Sequence, residues 1–227
     1  MEIPLERVPI EQKMIIQKSN QTGRPVITAT QMLKSMVEQS RPTRAEAADV
    51  ANAVLDGTDA VMLSEETAVG RFPVETVQTM HRILVATEQT LGPKFLTQTQ
   101  RQGDHITVPA AVSHAAVIMA RDLQASAIMA PTRSGATARM ISRYRPMMPI
   151  VALCIEEKVR QQLSLVWGVY PYKVEKISDT DSVFQLARET ALQNGFVKPG
   201  QMIITTAGMP LGTRGTTNLI KVEELEE

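Results

Sequence analysis

Short apolar runs alternate with helical patterns along this chain, and that alternation limits it to folds built around parallel strands. Residues 25–30 and 60–64 form two such runs, which are short and rich in apolar side chains as buried strands are. The helical pattern after the second run opens with Pro73 at a first helical position. Strands that alternate with helices predict βα units and an α/β fold.

The helices of this region carry boundary signals of their own. Thr43 and Glu46 have the spacing of a capping box, in which each side chain satisfies a backbone N–H that the first helical turn leaves unpaired. The helix that they open is predicted to end near Leu55, before Gly57. Two further helices are predicted to present apolar faces, made of Ile10, Met14 and Ile15 in the first and of Val74, Val77, Met80 and Leu84 in the second.

A polar stretch at residues 92–107 lacks any apolar period and is predicted to be a linker. It divides the chain into domains at residues 1–91 and 108–227. The second domain repeats the alternation of strands and helices, so it is predicted to be an α/β sandwich. Its strands are predicted at about residues 125–130, 149–153, 169–174, 201–206 and 219–222, and its helices from Pro109, Gly135, Glu156 and Asp181.

The first domain has too few strands to be complete. A closed parallel barrel needs eight strands and about 250 residues, whereas this region offers two βα units. Two parallel strands with apolar faces would leave sheet edges in water, an arrangement that pairs readily with other chains. The first domain is therefore predicted to be part of a larger structure.

The composition limits the partners and the compartment. Lysine plus arginine equals aspartate plus glutamate at 24 each, so no general attraction to nucleic acid or an anionic membrane is expected. Cys154 is the single cysteine, which excludes an internal disulfide or a cysteine-rich zinc site and fits a reducing compartment. The sequence has neither a window apolar enough to span a bilayer nor signal-peptide features. These features predict a cytoplasmic protein without a nucleic-acid or membrane partner.

A hydroxyl-rich loop in the second domain has the chemistry of a phosphate site. Residues 132–137 open a predicted helix, whose first N–H groups attract anions, and Gly135 lets the backbone approach a ligand. The loop at residues 208–218 could close over this cradle with Arg214 as a charged fork. A capped helix beside an ordinary glycine-rich turn is the alternative interpretation. The predicted binding residues are Thr132, Arg133, Ser134, Gly135, Ala136, Thr137, Arg214, Gly215 and Thr216.

Four motifs follow one another in the first domain, namely PVITATQML (25–33), RPTRAE (41–46), DVANA (49–53) and MLSEETA (62–68). In this order they closely resemble the pyruvate kinase family, and the similarity extends over nearly the whole chain. The resemblance implies the last two βα units of a catalytic (β/α)8 TIM barrel followed by an α/β three-layer effector domain. It also implies the glycolytic transfer of a phosphoryl group between phosphoenolpyruvate plus ADP and pyruvate plus ATP.

The resemblance implies catalytic roles for three residues. Thr30 matches a threonine at the end of the seventh barrel strand, beside the phosphoenolpyruvate carbon that is protonated. Ser64 and Glu66 match a serine and a glutamate that help to carry a proton through water, although Glu66 could equally orient neighbouring backbone. Glu65 stands where the family often has glycine, which puts a further charge either beside the site or in solvent.

The two loops of the second domain match the family's effector pocket, where a sugar phosphate binds in many members, and a nucleotide is the other candidate. Val183 stands where some sugar-bisphosphate-activated relatives place arginine, so the identity of the effector stays open. The resemblance further implies a homotetramer when the protein is intact, with Mg²⁺ or Mn²⁺ and K⁺ as cofactors. In the family, the ligands of those ions and the catalytic lysine precede the matched region, so these 227 residues alone are predicted to be inactive.

Three hypotheses about the chain remain open. It is part of a phosphotransferase, either as a shortened form of a longer chain or as one half of a split enzyme. The second hypothesis is a stand-alone regulatory module that binds sugar phosphates or nucleotides through residues beyond about Val108. The third hypothesis is a scaffold that dimerises through its open half-barrel. The motifs within residues 25–68 favour the first, and the loops after residue 107 favour the second over the third.

Overall fold

The structure is a computed structural model that describes residues 3–90, 107–175, 179–210 and 216–226. The chain divides into two compact units, Met1–Gln98 and Thr99–Glu227. The predicted linker at residues 92–107 lies outside the described residues, apart from Thr107. Among the helices within the described ranges, none has the length and apolar character needed to cross a membrane.

In the first unit, a helix follows each of two short parallel strands. Strand β1 (Ile27–Thr28) pairs with strand β2 (Ala60–Val61). This order of strands and helices is the predicted βα pattern. The α-helices are α1 (Val8–Thr22), α2 (Arg44–Asp56), α3 (Glu65–Ala68) and α4 (Pro73–Glu88), and two 3-10 helices cover Leu5–Arg7 and Lys34–Val37.

Both strands are shorter than the apolar runs that predicted them. Backbone hydrogen bonds continue the pairing on either side, because the carbonyl of Val26 accepts from Asp59 N–H and that of Thr28 accepts from Met62 N–H, each at 3.0 Å. Side chains add to the alignment, since the hydroxyls of Thr28 and Thr58 lie 2.9 Å apart and are buried. Apolar composition thus located the strands but overestimated the length of the ladder.

Helix α2 begins at the predicted capping box, which is confirmed. The Thr43 side chain accepts from the N–H of Glu46, and the Glu46 carboxylate accepts from the N–H of Thr43 at 2.8 Å. Gly57 ends the helix with a φ of 94°, a left-handed conformation that glycine adopts without strain. The core beneath α2 contains the buried side chains of Met32, Leu33, Met36, Val50, Ala53 and Met80.

The apolar face predicted for α1 is present but is not buried. Ile10, Met14 and Ile15 are exposed, whereas the neighbouring Ile16 is buried. Periodicity identifies an apolar stripe without showing what covers it. Within residues 3–90, two βα units offer too little surface to cover this stripe.

Buried threonines replace the predicted valines on the inner side of α4. Val74 and Val77 are exposed, whereas Met80 is buried. The hydroxyls of Thr76 and Thr87 donate to backbone carbonyls four residues earlier, those of Phe72 and Ile83, at 2.6 and 2.7 Å. A hydroxyl with such a partner is buried at little cost, so threonines can take this side of α4, and the predicted face was wrong at its first two residues.

The second unit confirms the strands and helices predicted for it, with ends that differ by no more than two residues. Strand and helix alternate in chain order until the last two strands, which are consecutive. Its described strands are β3 (Ala127–Thr132), β4 (Ile150–Cys154), β5 (Val169–Lys173), β6 (Met202–Gly208) and β7 (Thr217–Glu224), and its described helices are α5 (Val108–Asp122), α6 (Ala136–Ser142), α7 (Glu157–Leu163) and α8 (Thr180–Gln193).

One sheet joins the five strands of this unit, and its central strands are covered on both faces. The strand order is β5-β4-β3-β6-β7, with β7 antiparallel to β6 and the other pairs parallel. All residues of β4 and residues 127–130 of β3 are buried, so neither alternate set of side chains faces water. Helix α8 covers one face, where Ala187 joins Met129 and Leu153 in the core. This arrangement is the predicted α/β sandwich.

The order of strands in this sheet reverses beside β3. The chain adds β4 and β5 on one side of β3 and then returns to place β6 on the other side. In open parallel sheets, ligands bind outside the carboxyl ends of the strands at such a reversal. Thr132 and Gly208, the last residues of β3 and β6, mark that edge.

The cap of α8 provides a test of how the second unit is stabilised. The Asp179 carboxylate accepts from the N–H of Ser182 at 2.8 Å and from its hydroxyl at 2.6 Å. We expect Asp179→Ala to lower the free energy of unfolding by about 1 kcal/mol, because the first turn loses its acceptor. Urea denaturation followed by the fluorescence of Trp167, the only tryptophan of the chain, measures this change.

Asp179→Asn is the matched control for that variant, because asparagine caps about as well as aspartate but carries no charge. It should unfold within a few tenths of a kcal/mol of the unaltered chain. Equal stability of all three proteins would contradict the assigned cap.

Candidate functional site

The carboxyl ends of β1 and β2 lie at one edge of the first unit because the two strands are parallel. Thr30 follows β1 and Ser64 follows β2, and both are exposed. The Thr30 hydroxyl lies 3.5 Å from the sulfur of Met32, and Ser64 makes no side-chain capping bond to α3. Two hydroxyls at one strand edge are thus placed where a ligand can reach them from solvent.

Glu66 lies behind this edge and joins the two strand ends. Its side chain is 2% exposed, with Oε1 accepting from Leu33 N–H at 3.2 Å and Oε2 from Ser64 N–H at 2.8 Å. Burial raises the pKa of the Glu66 carboxyl, but bonds from backbone N–H groups, helped by the charge of Lys34, outweigh it and leave the pKa below its ordinary value. Glu66 is therefore ionised at neutral pH, and both of its oxygens have partners.

Glu65 is partly exposed to solvent and joins the segment after β2 to the segment after β1. Its carboxylate forms an ion pair with Lys34, and the two side chains are 41% and 46% exposed. An exposed pair of this kind contributes at most about 1 kcal/mol. Glu65 stands where the resemblance leads us to expect glycine, and it adds an ion pair with Lys34 next to the site.

Glu46 has a second role that its place in a capping box did not reveal. Besides bonding Thr43, its carboxylate accepts from the N–H of Ser35 at 2.6 Å and from the Ser35 hydroxyl at 2.5 Å. Burial raises the pKa of the Glu46 carboxyl, but the bonds from Ser35 and Thr43 outweigh it and lower the pKa. Sequence patterns give no signal for this contact, since no periodicity relates two residues 11 apart in separate helices.

A close backbone approach at Gly70 was also missed from the sequence. A β-carbon at this position would lie 2.3 Å from the carbonyl oxygen of Glu66 and 3.3 Å from Cα of Val37. The next residue, Arg71, donates its N–H to the carbonyl of Val37 at 2.8 Å. Only glycine lets the chain after α3 pass this close to the segment after β1.

The described part of the chain does not offer a donor set that fits a divalent metal. Within residues 3–90, 107–175, 179–210 and 216–226, no three or more His, Cys, Asp or Glu side chains converge to hold an ion. Two carboxylates that bond the segments after the strands, Glu66 and Glu46, are occupied by N–H and hydroxyl donors. No role for Mg²⁺ or Mn²⁺ is derived from these residues.

In the second unit, the predicted cradle follows β3 at the edge where the strand order reverses. The Thr132 hydroxyl accepts from the N–H of Gly135 at 2.9 Å and closes the turn. Gly135 has a φ of 78° and precedes α6. Arg139 reaches back from α6 to donate to the carbonyl of Ser134 at 3.0 Å, which places a guanidinium beneath the loop. Burial lowers the pKa of Arg139, a residue that the sequence interpretation did not single out.

The other predicted residues of this loop make contacts with separate parts of the unit. Arg133 lies 3.8 Å from the Glu156 carboxylate in an exposed pair. The Thr137 hydroxyl lies 2.7 Å from that of Thr217, the first residue of β7, and both are buried. Val183 is fully buried in α8, so it belongs to the core of the unit.

The second predicted loop joins β6 to β7 and is only partly described. Arg214 and Gly215 lie outside the described residues, whereas Thr216 is half-buried. A β-carbon at Gly208 would lie 2.8 Å from the Thr216 hydroxyl, so the two ends of the loop pass close to each other. Asn218 fastens them, since its side chain accepts from Met209 N–H at 2.9 Å and donates to Met209 O at 2.7 Å.

The fold and the two edges define an α/β protein in which the end of a parallel βα barrel is joined to an α/β domain. A family profile described as "Pyruvate kinase, barrel domain" matches residues 1–77. A second, described as "Pyruvate kinase, alpha/beta domain", matches residues 110–223. The chain belongs to the pyruvate kinase family, and the fold class predicted from its sequence is confirmed.

Individual relatives agree with this assignment. The chain is 50% identical over 222 residues to a pyruvate kinase of Sporosarcina psychrophila and 47% identical over 227 residues to one of Geobacillus stearothermophilus. These matches cover 98% and 100% of this chain but 38% and 39% of the two relatives. The crystal structure of a pyruvate kinase from Cryptosporidium parvum is similar with a TM-score of 0.89 and 39% identity, over 98% of this chain and 44% of that one. The chain thus spans less than half the length of these relatives.

The backbone of the cradle can be tested at Gly135. Alanine there would hold a φ of 78° with its β-carbon 2.7 Å from Nη1 of Arg139 and 3.1 Å from Leu163. We expect Gly135→Ala to lower the free energy of unfolding by about 1–3 kcal/mol, measured by urea denaturation with Trp167 fluorescence.

Gly195→Ala is the matched control for the cradle variant. Gly195 has a similar φ of 71°, but no described atom lies within 4 Å of its β-carbon position. Gly195→Ala should introduce backbone strain without a steric conflict, so it should lower the free energy of unfolding by less than Gly135→Ala does. Equal losses in the two variants would contradict a tightly packed turn at Gly135.

Proposed function

We propose that this chain is the C-terminal part of a pyruvate kinase, an enzyme that transfers a phosphoryl group between phosphoenolpyruvate plus ADP and pyruvate plus ATP. The observation that carries this proposal is the match of two successive domains of one family to the two units, in chain order. The exposed hydroxyls at the ends of β1 and β2 support it, because barrel enzymes place their chemistry at the carboxyl ends of the strands.

Thr30 and Ser64 are proposed to serve the proton step of the reaction. When the phosphoryl group leaves phosphoenolpyruvate for ADP, the enolate of pyruvate remains and must gain a proton at carbon. A hydroxyl can pass a proton to that carbon and recover one from water, provided that it lies within hydrogen-bond reach. Thr30 is proposed as the hydroxyl beside the carbon, and Ser64 as the link to water, with Glu66 in the same site. Bound Mg²⁺ or Mn²⁺ and K⁺ would supply charge neutralisation to the complete enzyme.

These 227 residues on their own are proposed to be inactive. Phosphoryl transfer depends on cations and positively charged groups around the phosphates, and the described residues offer no cluster that holds a divalent ion. The complete enzyme is proposed to be a cytoplasmic homotetramer, as the resemblance implies.

A chimera tests the proposed activity directly. In it, this chain replaces the matching segment of the Geobacillus stearothermophilus pyruvate kinase, which aligns with all 227 residues. We expect the chimera to form pyruvate from phosphoenolpyruvate and ADP, and the isolated chain to be at least about 10³-fold slower. A folded chimera that forms no pyruvate would overturn the proposed function.

Within that chimera, Thr30→Val removes the hydroxyl at nearly constant volume. It should lower kcat by about 10²-fold or more, because a positioned proton donor is lost. Thr30→Ser keeps a hydroxyl and is the matched control, expected within about 10-fold of the unaltered chimera. Full turnover by Thr30→Val would remove Thr30 from the reaction.

The edge between β3 and β6 is proposed to bind a phosphorylated effector, a sugar phosphate or a nucleotide. Supporting observations are the strand-order reversal, the Thr132–Gly135 turn and the Arg139 guanidinium beneath the loop. Ser134, Ala136 and Thr137 would add N–H donors at the start of α6, and Arg133, Arg214, Gly215 and Thr216 would complete the site.

A stand-alone regulatory module is the second candidate function, and the closed core of the second unit favours it. Unlike the first unit, this one has a sheet covered on both faces by its own residues. Calorimetry of the isolated chain with sugar phosphates and nucleotides tests this candidate. A heat of binding, together with an inactive chimera, would favour the module. Binding together with an active chimera would favour the enzyme, and no heat at millimolar concentrations would remove the effector proposal.

A further inference from the structure

The segment that follows Thr30 is held by glutamate side chains from two other elements. Leu33 N–H donates to Glu66 of α3, and Ser35 N–H and hydroxyl donate to Glu46 of α2. We call Glu46 and Glu66 the carboxylate clamp. The clamp fixes backbone N–H groups two residues apart, on the segment that begins immediately after the exposed hydroxyl of Thr30.

The same segment is anchored from its other side by apolar packing. Met32 and Leu33 are at most 1% exposed, and both belong to the core of the first unit. Met32 also contacts Thr30 directly, through the 3.5 Å approach of its sulfur to the hydroxyl. Core packing alone leaves a segment free to rotate its polar groups, and the clamp removes that freedom.

Glu66 links this segment to the end of β2 as well. Its second oxygen accepts from the N–H of Ser64, so one carboxylate group spans the two strand ends that carry the hydroxyls. The close packing of Gly70 against the Glu66 backbone, with a β-carbon position only 2.3 Å from its carbonyl, leaves this residue little room to move. The distance between the two strand ends is therefore set by a buried, doubly bonded side chain.

We propose that the carboxylate clamp consists of positioning residues that hold Thr30 and Ser64 in register, and that Glu66 does not itself carry the proton. This inference rests on the proposed function and reassigns one residue of that site. An ionised carboxylate has no proton to give, and Glu66, at 2% exposure with an N–H donor on each oxygen, offers little access to water. Glu46 holds the same segment as Glu66 but is assigned to no proton path. The effect of a Glu46 variant therefore separates positioning from proton transfer.

The test uses the active chimera with the isosteric variants Glu66→Gln and Glu46→Gln. An amide keeps one acceptor oxygen but turns an NH₂ group toward an N–H donor, so each variant loosens the clamp without a change of volume. We expect kcat to fall by about 10- to 100-fold for Glu66→Gln and by about 5-fold or more for Glu46→Gln, with the KM for phosphoenolpyruvate changed by less than about 3-fold. Glu38→Gln is the matched control, since Glu38 is 72% exposed and pairs only loosely with Arg71 at 3.7 Å, and it should leave kcat unchanged.

The pH profile of kcat separates positioning from proton transfer. If Glu66 positions the strand ends, Glu66→Gln should lower the whole profile between about pH 5.5 and 9 without removing an ionisation, and Glu46→Gln should do the same to a smaller extent. Loss of an ionisation in Glu66→Gln alone, with an unchanged kcat in Glu46→Gln, would overturn the inference in favour of a proton carrier. Unchanged kcat in both variants would overturn it as well.

Two further measurements keep the outcomes distinct. Thermal unfolding of each variant, with assays run well below its midpoint, separates a loss of folded enzyme from a loss of turnover per folded molecule. The unaltered chimera reports on the proposed function by itself. If it is inactive, the proposed function fails, whereas an active chimera whose clamp variants behave like Glu38→Gln leaves that function standing and removes the clamp.

Discussion

A parallel pairing of only two residues on each strand aligns the two βα units, and the geometry of the strand ends depends on it. Such a short ladder contains few backbone bonds, so side chains complete the alignment. The buried hydroxyls of Thr28 and Thr58 meet between the strands, and the Asp59 carboxylate accepts from the N–H of Val26. Glu66 then repeats this arrangement beyond the strands, where there is no ladder left to fix the spacing of Thr30 and Ser64.

The two units solve the burial of their strands in different ways. In the second unit, helices cover both faces of a five-stranded sheet, and most residues of its central strands are buried. In the first, apolar side chains of α1 and α4 stay exposed within the described residues, as expected for two βα units of an eight-unit architecture. The family matches agree with this difference, because the first unit, with two described strands, matches a barrel domain and the second matches an α/β domain over residues 110–223.

The sequence was sufficient for the positions of the elements and for the family, because periodicity, capping residues and motif order are local or strongly patterned signals. The capping box at Thr43 and the stop at Gly57 are examples.

The sequence was not sufficient where tertiary contacts decide the structure. Hydroxyl bonds within α4 let Thr76 and Thr87 take the buried side that valines were predicted to occupy. The bond between Glu46 and Ser35 and the place of Arg139 beneath a loop depend on three-dimensional proximity that no spacing rule encodes. For Glu66, the residues left a direct and an orienting role open, and its two N–H partners could be seen only in the structure. The predicted roles of Arg214 and Gly215 stay predictions, since both lie outside the described residues.

The buried hydroxyl pair of Thr137 and Thr217 has a consequence for how the edge of the second unit responds to a ligand. It connects the first turn of α6 to the start of β7, and therefore the base of one loop to the base of the other, across 80 residues of chain. The effector proposed for this edge would therefore meet a first turn of α6 that is already tied to β7, so part of the entropic cost of ordering the edge is met before binding.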